Sequence, residues 1–82
     1  MTIYDIHAKV SLHALTELSS AIDKWGLQSN LSLAEQFLIL SEEIGEVSMA
    51  ILDKDYDNAQ IEIYQSVAML CKLSWLIERT YK

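Results

Sequence analysis

Residues Ser32–Leu52 read SLAEQFLILSEEIGEVSMAIL, and this stretch decides how the chain is expected to fold. It begins with Ser32 and Glu35, which have the S-x-x-E spacing of a capping box at a helix start. Apolar side chains then return every three or four residues, the period of one helix face. They are Phe37, Leu40, Ile44, Val47 and Ile51. The stretch therefore predicts one long helix, with Gly45 as a mild interruption.

The segments on either side carry the signals of two further helices. Upstream, apolar residues recur with helical spacing over about residues 2–25, and Gly26 follows where a helix C-terminus often needs a positive φ. Those apolar residues are Ile3, Ile6, Val10, Ala14, Leu18 and Ile22. Downstream, the aspartates of residues 53–58 interrupt the pattern and favour the start of a third helix, over about residues 55–79.

The chain has no Pro and only two Gly, which leaves few places for the tight turns of a β-rich fold. The second half of the third helix is apolar nearly all round, and two neighbours in one chain barely cover such a helix. A core of about 80 residues is also only marginally stabilising by itself. We therefore predict an all-α fold, a single domain over residues 1–82, in which three long helices form an antiparallel bundle completed by homo-oligomerisation.

Charge and composition exclude several classes of protein. The net charge is −6, from 6 cationic and 12 acidic side chains, so there is no basic stripe for duplex nucleic acid. A single Cys71 in an apolar run fits a buried, unreactive thiol in a reducing compartment, which predicts a cytoplasmic protein. The chain begins without a signal-peptide pattern. The most apolar window, residues 67–77, contains Lys72 and is too short for a membrane span of about 20 residues.

Acidic residues interrupt the apolar side of the second predicted helix. Glu43 and Glu46 are three residues apart and share a face with Ile39 and Ala50. Two like charges on a partly apolar face repel each other and lose hydration, a cost that a cation between them usually offsets. The pair is therefore a candidate for cation binding.

A second pair with the same spacing, Glu62 and Gln65, lies on the third predicted helix, on the face of Met69 and Leu76. If the two helices pack side by side, four oxygen donors converge, as a hard divalent cation such as Mg²⁺ requires. Acidic pairs at this spacing are also common on solvated faces and at interfaces. The alternative is therefore a helical interaction protein whose carboxylates form an acidic contact surface.

Together these residues resemble the all-α nucleoside triphosphate pyrophosphohydrolases of the MazG-like group. That family carries E-x-x-E on one helix and E-x-x-D on the next, with a Trp-containing segment upstream. The matching residues here are Glu43 and Glu46 within EEIGEV and Glu62 and Gln65 within EIYQSVAML, preceded by DKWGLQ at residues 23–28. The resemblance covers residues 23–78, about two thirds of the chain.

The resemblance implies Mg²⁺-dependent hydrolysis of an NTP or dNTP to the monophosphate and pyrophosphate, in a dimer or tetramer, with Mn²⁺ as the alternative ion. It implies that Glu43, Glu46 and Glu62 bind the metal, with Gln65 in the fourth position. Glu42, just before the motif, is a candidate base for the attacking water. It lies about 100° round the helix from Glu43, so a solvated side chain is the alternative.

Gln65 departs from the family pattern, which has Asp at this position. A neutral amide coordinates a cation through its carbonyl oxygen but contributes no charge. Three interpretations stay open: the phosphates of the substrate bring the metal, a second metal site is lost, or the protein binds nucleotides without cleaving them.

The resemblance also implies where a nucleotide binds. Trp25 is the candidate for stacking on the base, with Lys24 beside it, and a Trp that seals the junction between helices is the alternative. Gln28 and Asn30 are the candidates for contacts at the edge of the base. Lys72, seven residues after the second pair, is the candidate for a phosphate contact, and a lysine at a subunit edge is the alternative.

Overall fold

The computed structural model describes residues 1–27 and 30–81, and this part of the chain contains three helices and no strand. Helix α1 is Ile3–Trp25, α2 is Leu33–Leu52 and α3 is Tyr56–Tyr81. The all-α prediction and the three helix positions are confirmed, with each end within one or two residues of its predicted place. No helix in the described ranges is both long and apolar enough to cross a membrane.

The helix starts are fixed by local hydrogen bonds that satisfy unpaired backbone N–H groups. Ser32 Oγ accepts from the N–H of Glu35, and Glu35 Oε1 accepts from the N–H of Ser32, both at 3.1 Å. The predicted capping box is therefore present. The same reciprocal pair joins Thr2 and Asp5 at the start of α1, which the sequence analysis did not identify. Asp5, at the third helical position, accepts the hydrogen bond that Glu accepts in the standard capping box.

In the described part of each of the two connections, one residue has positive φ. Gly26 ends α1 at φ 79°, as predicted, and its N–H donates to the carbonyl of Ile22 at 2.8 Å. Between α2 and α3, Lys54 adopts φ 59°, and Asp55 Oδ1 accepts from the N–H of Asn58 at 3.3 Å. The connection between α2 and α3 is only three residues long, residues 53–55.

Helix α3 is the central element, because it packs against both α1 and α2, whereas the described parts of α1 and α2 do not pack on each other. The core is correspondingly small. Leu40 is the largest fully buried side chain, and most of the other core residues are alanines. The remaining buried apolar residues are Ala14, Ala50, Ala59, Tyr64 and Ala68. Small side chains let α3 approach both neighbours closely.

The apolar stripe predicted for α2 is only partly buried. Leu40 is fully buried and Val47 is half-buried, but Phe37 and Ile44 are 55% and 50% exposed. The reason is that α2 contacts α3 alone, and the contact is centred further round the helix, toward Ala50. The predicted stripe therefore lies at the edge of the helix interface and extends onto the surface.

The prediction of a buried Cys71 is wrong, because the thiol is exposed. Cys71 follows Tyr64 by two helical turns, but the packing that buries Tyr64 against α1 does not extend to Cys71. An apolar sequence neighbourhood indicates burial only when another element packs on that side.

Candidate functional site

Three carboxylates from two helices meet on one side of the α2–α3 pair. Glu43 and Glu46 come from α2 and Glu62 comes from α3. Each offers one oxygen, and the three oxygens lie within 4.8 Å of one another. Glu43 and Glu62 are half-buried, and Glu46 is exposed. We call these three residues the acidic cluster, and its assembly is the juxtaposition that the E-x-x-E and E-x-x-Q spacings predict.

Glu62 is the most perturbed member of the acidic cluster. Its Oε2 atom is buried and has no hydrogen-bond partner in the described part of the chain. Hydrogen bonding of its protonated form to Glu43 raises the pKa of Glu62 to about 7, and burial and the negative charges of Glu43 and Glu46 act in the same direction. Without a cation, the chain therefore gathers carboxylates whose ionised forms destabilise one another.

The acidic cluster fits a hard divalent cation. A buried carboxylate oxygen without a donor costs free energy that coordination would recover. Oxygen ligands from carboxylates are those that Mg²⁺ and Mn²⁺ prefer, and Mg²⁺ typically keeps several waters besides one or two carboxylates. Because Glu46 is exposed while Glu43 and Glu62 are half-buried, an ion can reach the acidic cluster from solvent on one side.

Gln65 lies one turn after Glu62 and is half-buried. It lines the same groove as Glu43. Glu42, the candidate base, is exposed and is not among the residues that line this groove. The structure thus places Gln65 in the groove beside Glu43 and does not place Glu42 in the groove or in the acidic cluster.

A groove of about 790 Å³ runs between α1 and α2, with α3 as its floor, and Glu43 is the member of the acidic cluster that lines it. It exists because α1 and α2 both pack on α3 without packing on each other. Its main apolar lining residues are Leu18, Trp25, Leu31, Ile39, Met69 and Leu73. Its polar lining residues are Glu17, Asn30, Gln36, Glu43, Gln65 and Lys72.

Of the predicted substrate-binding residues, Trp25, Asn30 and Lys72 line the groove. Trp25 is 73% exposed, so it does not seal a junction between helices. Lys24 is exposed and places its ammonium 5.5 Å from the centroid of the Trp25 ring. Gln28 lies outside the described residues. The groove therefore combines an accessible aromatic ring with polar groups at its edges.

Lys72 is half-buried, and its Nζ donates a hydrogen bond to the carbonyl oxygen of Gly26 at 3.3 Å. An ammonium has three donors, so two remain for other acceptors. The sequence predicts a phosphate contact or a subunit-edge position for Lys72, and neither prediction includes this bond to the end of α1.

Two groove residues were missed by the sequence analysis. Gln36 Nε2 donates a hydrogen bond to the carbonyl oxygen of Leu31 at 3.0 Å. This bond holds the connection before α2 against the first turn of α2, beside the groove. Glu17 is half-buried on α1. The available signal was its position, since Glu17 lies one turn before Ala21 and one turn after His13, beside the apolar residues of α1.

Comparisons with known proteins add nothing to this description: no family model, no curated protein and no solved structure matches the chain. The function is therefore argued from the acidic cluster and the groove.

Proposed function

We propose that this protein is a Mg²⁺-dependent nucleoside triphosphate pyrophosphohydrolase of the MazG-like kind, which hydrolyses an NTP or dNTP to the monophosphate and pyrophosphate. The observation that carries the proposal is the unpartnered, buried Oε2 of Glu62 among two further carboxylates, of which Glu43 also lines the groove that holds the accessible Trp25. A nucleotide needs a cation beside its phosphates and an aromatic surface for its base. The acidic cluster and the adjoining groove with Trp25 would supply the two.

Glu43, Glu46 and Glu62 would hold the ion, and the carbonyl oxygen of Gln65 is the fourth donor. When bound, Mg²⁺ supplies charge neutralisation for the phosphate oxygens and activation of water. The protein's own contribution is to fix four oxygen donors on two packed helices. Three carboxylates provide less charge than four, so we expect the phosphates of the substrate to contribute to metal binding.

Glu42 is the proposed base for the attacking water. It lies one turn before Glu46, so the two carboxylates are neighbours on the α2 surface. Its exposure gives it access to a water at the open side of the acidic cluster. This assignment rests on position alone.

The groove suits a nucleoside in size and chemistry. Ligand pockets commonly enclose about 300–1,000 Å³, and this groove has about 790 Å³. Trp25 offers a face for stacking, Asn30 offers amide donors and acceptors, and Lys72 offers free ammonium donors. An exposed aromatic face stacks on any base, so these residues support nucleotide binding without choosing one base.

We further propose that the three helices form an antiparallel bundle that assembles into a homodimer or homotetramer. The three-residue connection between α2 and α3 and the meeting of Glu46 with Glu62 support the antiparallel arrangement. The chain exposes 6195 Å², about 1,200 Å² more than the roughly 5,000 Å² expected for a folded monomer of 9.4 kDa. A standard interface buries about 800 Å² on each partner, so this excess is enough for one.

The outer face of α2 is the proposed subunit contact. Its large apolar side chains are between 49% and 72% exposed: Phe37, Leu38, Ile44, Ile51 and Leu52. Gly45 lies among them, and a methyl group built on it would meet no atom within 4 Å. A mid-helix Gly costs about 1 kcal/mol relative to Ala, and close approach by a second chain would give it a structural reason.

A second candidate function is favoured by the same exposed face. A helical interaction protein would use the apolar side of α2 to bind a different chain and the acidic cluster as a contact surface. A nucleotide sensor that binds without cleaving is the related alternative, because Gln65 weakens the charge of the site. Cytoplasmic localisation stays a prediction.

The test is product analysis on a panel of NTPs and dNTPs, with Mg²⁺ and with excess chelator. We expect metal-dependent release of monophosphate and pyrophosphate, lost in Glu46→Ala, while circular dichroism shows that the variant keeps its helices. Asp23→Ala is the matched control, because Asp23 is an exposed acidic residue of α1 that does not line the groove. Absence of turnover with nucleotide binding retained would favour the sensor, and absence of both would favour the interaction protein.

A further inference from the structure

Glu17 is an acidic residue inside the groove that the proposed chemistry does not use. It is half-buried, lines the groove from α1, and is not a member of the acidic cluster. No described residue donates a hydrogen bond to its carboxylate or forms an ion pair with it. An ionised carboxylate only accepts hydrogen bonds, so a ligand group that binds it directly carries a donor.

The position of Glu17 along the groove follows from two contacts between α1 and α3. The ring of His13 stacks on that of Tyr64 with centroids 4.6 Å apart, and Lys72 contacts Gly26 further along both helices. Glu17 is four residues after His13, about 6 Å along the axis. It therefore lies about one helical turn beyond the level of Tyr64, whose neighbours on α3 include Glu62.

At the other end of the groove, Trp25 is eight residues after Glu17, about 12 Å along the axis. A nucleotide with its phosphates at the acidic cluster and its base on Trp25 places its sugar between the two. Glu17 also lies between these two ends of the groove. A carboxylate repels phosphate oxygens but accepts hydrogen bonds from hydroxyl groups, so its chemistry also matches the sugar.

We propose that Glu17 recognises the sugar hydroxyls of the bound nucleotide, and that the substrate is a nucleoside triphosphate with free 3′ and 2′ hydroxyls in preference to one lacking them. This inference rests on the proposed function, because it takes the acidic cluster as the phosphate end. Glu17 is a specificity-determining residue in this proposal and takes no part in bond breaking. A hydrogen bond to a charged acceptor in a partly buried groove is strong enough to discriminate between sugars.

The experiment compares ribo-, 2′-deoxyribo- and 2′,3′-dideoxyribonucleoside triphosphates of one base, with kcat/KM measured for wild type, Glu17→Ala and Glu17→Gln. We expect wild-type kcat/KM to fall stepwise, by at least about 10-fold over the series. In Glu17→Ala the series should flatten to within about threefold, because the loss is larger on the hydroxylated substrates than on the dideoxy substrate. Glu17→Gln, which keeps one acceptor and the shape of the side chain, should lie between them.

Asp23→Ala is the control, because it removes an exposed carboxylate from the same helix outside the groove. An undiminished sugar series in Glu17→Ala would overturn the proposal. So would an equal loss on all three substrates, a change confined to base preference, or a shift only in the Mg²⁺ concentration required.

Failure of the proposed function gives a different result. If wild type turns over no nucleotide, the same nine combinations are measured by calorimetric binding in Mg²⁺. Affinity that falls with each lost hydroxyl, and only in proteins with Glu17, would support sugar recognition in a protein without turnover. Absence of binding to all three nucleotides would overturn both proposals.

Discussion

Lys72 Nζ lies 3.3 Å from the carbonyl oxygen of Gly26 and donates a hydrogen bond to it, joining the middle of α3 to the end of α1. Both residues are half-buried, and 46 positions separate them in the chain. Because α1 and α2 do not pack on each other, this bond helps to set the width of the groove between them. It satisfies a carbonyl at a helix C-terminus with a cation, an arrangement that the helix dipole favours.

Replacing Lys72 by Met should affect stability and substrate binding together. Met keeps most of the apolar stem but removes the donor, so we expect unfolding free energy to fall by about 1 kcal/mol. Loss of the ammonium should also raise KM for the triphosphate several-fold with a smaller change in kcat. Urea denaturation and steady-state kinetics measure the two effects. An unchanged KM would mean that Lys72 acts only on the end of α1.

The stability of the metal-free protein should fall as pH rises from about 4.5 to about 7. The folded pKa of Glu62 is raised from 4.5 to about 7, so the folded state binds this proton more tightly than the unfolded state. The stabilisation is complete below pH 4.5 and is lost as pH rises through 7. Because Mg²⁺ binds the ionised form, it should restore stability above pH 7.

Thermal unfolding at several pH values, with and without Mg²⁺, tests this dependence. Glu62→Gln should remove most of the pH dependence between 4.5 and 7, because an amide does not titrate. It should also weaken the response to Mg²⁺. A wild-type profile that rises through this range would show that other groups control the pH dependence.

Gln65→Asp should strengthen metal binding. The substitution adds a fourth charge beside the acidic cluster, so we expect the Mg²⁺ concentration for half-maximal activity to fall about 10-fold. The metal-free variant should be less stable than wild type because another carboxylate joins the repulsion. Gln65→Ala is the companion variant, since it removes the carbonyl oxygen without adding charge. If neither variant changes the Mg²⁺ requirement, the side chain does not reach the ion.

Gly45→Ala distinguishes a free surface from a subunit contact. On a free helix surface the substitution should stabilise the protein by about 1 kcal/mol, because nothing within 4 Å obstructs a methyl group. If a second chain approaches closely at Gly45, the same substitution should weaken assembly instead. Sedimentation across a concentration series measures the association.

Ile44→Lys is the positive control, since a charge on the exposed apolar face should dissociate the oligomer. Leu15 is 57% exposed and lies on α1, outside the proposed contact, so Leu15→Lys provides the matched charge on another helix. A wild-type protein that remains a monomer at high concentration would contradict the proposed assembly.

Local signals account for what the sequence by itself determined. Ser32 and Glu35 form their capping box from hydrogen bonds within four residues, and Gly26 takes its positive φ because α1 ends there. Helix spacing likewise indicated that Glu43 and Glu46 share a face. These features depend on neighbours in the chain, so a sequence pattern predicts them.

Contacts between helices decided which side chains are buried and where the groove lies. Only packing shows that α1 and α2 meet α3 without meeting each other, and this opens the groove that brings Glu17 into the site. The same packing leaves Cys71 and Phe37 exposed, buries one oxygen of Glu62, and joins Lys72 to Gly26. The sequence determined the helices and their chemical groups, because those depend on local hydrogen bonds and periodicity. The tertiary structure decided which faces are covered and how the charged groups are solvated, because burial depends on residues far apart in the chain.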